Sequence, residues 1–82
     1  MDFALVNATI QEIVRTTFAN LDKTTKEIAE ICKTTVGREL AIQISINTGC
    51  EVEDANAKAT AIYAVASQMI RRMDAQQLQS YL

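Results

Sequence analysis

Chemistry in this 82-residue chain would have to come from carboxylates and thiols, because the sequence contains no histidine. Histidine is the side chain whose ordinary pKa suits proton transfer near neutrality, so acid–base work would fall to the acids. Two acidic pairs stand one helical turn apart, Glu27 with Glu30 and Glu51 with Asp54. Either spacing could hold a cation, yet glutamates on a helix face are ordinarily solvated and acids at a helix start ordinarily serve its dipole. The two cysteines, Cys32 and Cys50, cannot complete a tetrahedral zinc site by themselves. Cys32 reads as a small buried hydrophobe, whereas Cys50 follows Gly49 just ahead of a helix start and is the thiol better placed for reactivity. With only two glycines, no glycine-rich phosphate loop can be built. These features point away from an enzyme, a metal site or a cofactor.

Eight Lys and Arg stand against ten Asp and Glu, a formal net charge of −2. The sequence pI is near 4.9, so no general field attracts nucleic acid and any basic surface must be local. The segment Met1 to Ile10 has neither a basic start nor a small-residue cleavage site, and no apolar run approaches the roughly 18 residues of a spanning helix. The expectation is a cytoplasmic protein without membrane insertion. Two cysteines are also too few for the disulfide framework of a small secreted domain.

One local pattern has a precedent in nucleic-acid recognition. The stretch Thr24-Thr25-Lys26-Glu27-Ile28-Ala29-Glu30-Ile31-Cys32 resembles the first helix of a helix-turn-helix unit, with Ala29 as its small contact residue. The resemblance implies a turn after Cys32 and a reading helix in which Arg38, Gln43, Ser45 and Asn47 would meet bases or phosphates. It covers only the first helix; Lys33 to Arg38 is short for the turn, and Gly37 comes late in it. A DNA-binding regulator using residues 24–47 is therefore the alternative reading. The ending Ser80-Tyr81-Leu82 likewise resembles a carboxylate-ending ligand of PDZ domains, on three residues alone.

The elements that would carry these residues are mostly helical. Phe3, Val6, Ile10, Ile13, Val14, Thr17, Phe18 and Leu21 recur at helical spacing, with Glu12, Arg15 and Ala19 opposite. Thr24 to Glu27 has the form of a capping box, opening a second helix whose face holds Ile28, Ile31, Cys32, Thr35 and Val36. That phase fails at Gly37, which predicts a break or bend there. Residues 40–46 alternate apolar and other side chains strictly enough to read as a strand. Leu40, Ala41 and Ile44 also fit a helix, and this is preferred because a strand would need a partner. From Asp54 to about Gln79 nothing interrupts a long C-terminal helix.

The expected fold is thus all-α, a single domain over residues 1–82 built as a bundle of three to four helices. In the last helix Ala55, Ala59, Ile62, Ala66, Met69 and Met73 alternate steps of four and three, the spacing of a coiled-coil seam, so self-association through this stripe is expected. Arg71 and Arg72 lie off the stripe and, with Leu78, Tyr81 and Leu82 of the tail, are the groups offered for a partner to contact. By elimination the function expected is a helical protein–protein interaction module, an adaptor, inhibitor or regulator, acting as a homodimer with another protein as its partner.

Overall fold

Side-chain caps and one left-handed glycine divide the chain into its helices. In the computed structural model, which describes residues 2–82, 81% of the chain is helical. α1 (Phe3–Ala19) opens on Asp2, whose carboxylate accepts the N–H groups of Ala4 and Leu5 at 3.0 and 3.3 Å. It closes at Asn20, whose side-chain amide donates to the Thr16 carbonyl at 2.7 Å. α2 (Thr25–Thr48) begins with the capping box expected from the sequence. The Thr24 hydroxyl accepts the Glu27 N–H at 3.2 Å, and the Glu27 carboxylate accepts the Thr24 hydroxyl at 2.9 Å and its N–H at 3.3 Å. Hydrogen bonds from the Thr24 side chain and then its backbone favour the charged form, so Glu27 sits below the usual glutamate pKa.

α2 stops at Gly49, whose φ of 68° is the left-handed conformation that costs glycine nothing. α3 (Val52–Arg71) follows, with Glu53 and Asp54 in its first turn, and α4 (Ala75–Gln79) completes the chain. At about 1.5 Å per residue the 24 residues of α2 span roughly 36 Å, which is the molecule's longest dimension of 36 × 24 × 17 Å. α1, α2 and α3 each pack on the other two. α1 contributes Val6, Ile10, Ile13 and Val14 to the shared core, α2 contributes Cys32, Val36, Leu40 and Ile44, and α3 contributes Ala55, Ala59, Ile62 and Ala66. Three small residues in that last set let the larger side chains of α1 and α2 come close to the α3 backbone. Thr9 is buried among them, its hydroxyl donating to the Leu5 carbonyl at 2.8 Å.

Three expectations from the sequence are corrected. The helix does not break at Gly37, because the buried stripe of α2 advances by fours, 32, 36, 40 and 44, and so slips about 40° per step around the helix. A stripe running obliquely fails a straight-line test of phase without any bend in the backbone. Residues 40–46 are helix within α2, as preferred over the strand alternative. The long C-terminal helix ends at Arg71, and Asp74 then opens α4 through a second capping box in which it accepts the Gln77 N–H at 2.8 Å while Gln77 accepts the Asp74 N–H at 2.9 Å. Phe3, Phe18 and Leu21, assigned to the apolar stripe of α1, stay exposed.

Gly37 is an ordinary helical residue, and a Cβ built on it meets nothing within 4 Å. Gly37→Ala should therefore stabilise the fold by about 0.5–1 kcal/mol, chiefly by restricting the unfolded chain. Urea unfolding should show a higher midpoint with an unchanged slope.

Candidate functional site

α1 covers one side of the α2–α3 pair, and on another side these two helices leave an open groove of about 660 Å³. Its floor and walls are small: Gly37, Ala41 and Ser45 come from α2, and Ala55, Ala59 and Ala64 from α3. Larger apolar groups stand at its edges, with Ile42 46% exposed, Ile46 71% and Val52 67%. These three are among the most exposed large hydrophobic residues of the chain, and they are gathered along one groove rather than scattered. Tyr63 adds a half-buried ring whose hydroxyl is pushed above the usual phenol pKa by burial and, secondarily, by Cys32. Lys33 and Arg38 supply positive charge on the α2 side, towards the end of the groove where Tyr63 lies.

The four residues read as DNA contacts do not act as a set. Arg38 and Ser45 line the groove, and the Ser45 hydroxyl donates to the Cys50 carbonyl at 3.2 Å. Gln43 and Asn47 lie about 140° and 180° from Arg38 around α2, and Gln43 borders a smaller hollow of about 240 Å³ between α1 and α2. The turn that a helix-turn-helix needs after Cys32 is also absent, since residues 25–48 form one unbroken helix.

The stripe expected to form a self-association seam is used inside the chain. Ala55, Ala59, Ile62 and Ala66 are buried in the core, Met73 packs half-buried against it, and Met69 alone stays exposed. Among the tail residues Leu78 and Tyr81 also pack against the core, and the Tyr81 hydroxyl donates to Asn7 Oδ1 at 2.9 Å. The α4 turn therefore folds the tail back onto α1, leaving Leu82, Arg71 and Arg72 at the surface.

Cys32 lies buried near the Thr17 hydroxyl at 3.7 Å, as a small core residue would, and Cys50 is half-buried at the link into α3. Of the acidic pairs, Glu27 is committed to the α2 cap, and Glu51 and Asp54 stand exposed at the start of α3. No group of three or more metal-ligating side chains comes together among the described residues, and no helix there is long and apolar enough to cross a membrane.

Sequence reasoning passed over the groove because it looked for one apolar face per helix. The signal was nevertheless present in the alternation of Leu40, Ile42, Ile44 and Ile46. In a helix, positions two apart lie about 200° apart, so this alternation supplies two opposed apolar faces. Leu40 and Ile44 enter the core, and Ile42 and Ile46 rise beside the groove. Compared with known proteins, the chain matches no family model, no curated protein and no solved structure.

Proposed function

We propose that this chain is a protein–protein interaction module that receives an apolar helix in the groove between α2 and α3. The observation that carries the reading is the apolar edge formed by Ile42, Ile46 and Val52 over a floor of alanine and glycine. Large exposed aliphatic groups beside a small-residue hollow are what a packed helix needs on both sides: knobs to insert and a hole to receive them. From Lys33 to Ile46 the groove runs about 20 Å along α2, enough for three to four turns of a partner helix. An elongated trough of this kind suits a helix better than a compact small molecule, which would be enclosed on more sides.

The test is site-specific photocrosslinking in the native host, with a photoreactive phenylalanine analogue at position 42 and, as control, at Arg15 on the exposed side of α1. A defined adduct at position 42 that is absent at position 15, and that is lost when Ile46→Asp is added, is the expected result. An adduct at both positions, or one indifferent to Ile46→Asp, would show that the groove is not where this chain is bound.

A further inference from the structure

We infer that the occupant of the groove is a second copy of this chain, related by a two-fold axis lying across the helices so that the facing helices run antiparallel. This rests on the reading of the groove as a docking surface; of three observations, area allows a partner there, and shape and charge point to this particular occupant.

The first is area. A folded monomer of 9.1 kDa should expose about 4,900 Å² by the usual surface scaling. This chain exposes 5734 Å². The surplus of about 800 Å² belongs to the whole, elongated molecule, and it leaves room for an interface of standard size, in which each partner buries about that much.

The second is shape. A two-fold interface uses the same patch on both sides, so that patch must carry the projection as well as the hollow that accepts it. The α2–α3 face does both, with Ile42 and Ile46 projecting beside the depression over Ala41, Ala55 and Ala59.

The third is charge. One end of the groove carries Lys33, with Arg38 next along α2. α3 returns antiparallel after the short link of residues 49–51, so its first turn lies at the opposite end. There Glu53 precedes Asn56, Thr60 and Ala64 by three, seven and eleven residues, which places it on the α3 face that lines the groove. A two-fold axis across the helices exchanges the two ends, bringing Glu53 of each copy to the Lys33 end of the other. Among the described residues the ion pair formed is Lys23 with Asp22, so Lys33, Arg38 and Glu53 enter the interface without an internal pair to break.

Sedimentation equilibrium of the full chain at low salt tests this. The wild type is expected to dimerise in the micromolar range. Lys33→Glu and Glu53→Lys should each weaken dimerisation about tenfold, because a two-fold interface turns each reversal into two like-charge pairs. The combined Lys33→Glu, Glu53→Lys variant restores both pairs with the signs exchanged and should return to within about threefold of the wild type. Both positions are exposed, and circular dichroism should confirm that each variant keeps its helices. A combined variant as weak as either single one would overturn the proposed register. A wild type that stays monomeric to about 100 micromolar would overturn the second copy as occupant. In that case an adduct with a different protein at position 42 leaves the groove reading standing, whereas no specific adduct removes both.

Discussion

Ala66→Glu is expected to unfold the domain, not merely to separate two copies of it. Ala66 is 0% exposed and lies in the core that all three long helices share. A glutamate there must leave its carboxylate without water or a partner, at a cost of several kcal/mol, and its added volume strains the packing by a further ~1–3 kcal/mol. A domain of 82 residues has about 4–12 kcal/mol in total at the usual stability per residue, so most of it is lost. The cooperative thermal transition followed by circular dichroism should disappear or fall by tens of degrees. Ala61→Glu, on the same helix but exposed, is the matched control and should change stability by no more than about 0.5 kcal/mol. A dimer seam along this stripe predicts the reverse for Ala66→Glu: a folded monomer with nearly the wild-type helix content.

That contrast shows what the sequence could and could not disclose. Local chemistry was legible. Thr24 with Glu27 announced the start of α2, Gly49 its end, and the recurrence of Val6, Ile10, Ile13 and Val14 the buried face of α1. The all-α class followed from these. Two features depended on how the helices lie against one another, which no single helix states, and a third was a local cap passed over. The small residues of α3 serve a close approach whether the neighbour is α1, α2 or another chain, so their spacing alone could not distinguish core from seam. The stripe of α2 runs obliquely, so a test for a straight stripe mistook Val36 to Leu40 for an interruption at Gly37. The end of α3 turned on Asp74 with Gln77, a cap that needs neither glycine nor proline to close the preceding helix.

The candidate site was hidden for a related reason. A search guided by chemistry gives weight to charged, nucleophilic and metal-binding side chains, and here these are solvated, capping or buried. Arg38, Gln43, Ser45 and Asn47 were linked by their polarity, but around α2 they point in different directions. The exposed surface that stands out is apolar, and its members Ile42 and Ile46 entered the sequence reading only as part of the alternation over residues 40–46. Only their burial, compared with that of Leu40 and Ile44, separates the two faces of α2.

The central claim is that this chain meets another protein through the α2–α3 groove, whose floor takes only Ala55 and Ala59 from the small-residue stripe of α3, and not along the rest of that stripe. Its most direct test is sedimentation of the Ile42→Asp, Ile46→Asp double variant beside the wild type, with thermal unfolding of the same samples. Both side chains already face water, so the variant should stay within about 1 kcal/mol of wild-type stability. Two aspartates would, however, carry unpaired charge into the middle of the apolar interface, where losses of about 2 kcal/mol or more per residue are ordinary for central contacts. The account predicts a folded monomer whose association is weakened by at least about a hundredfold. A double variant that associates as tightly as the wild type while keeping its helices would contradict it.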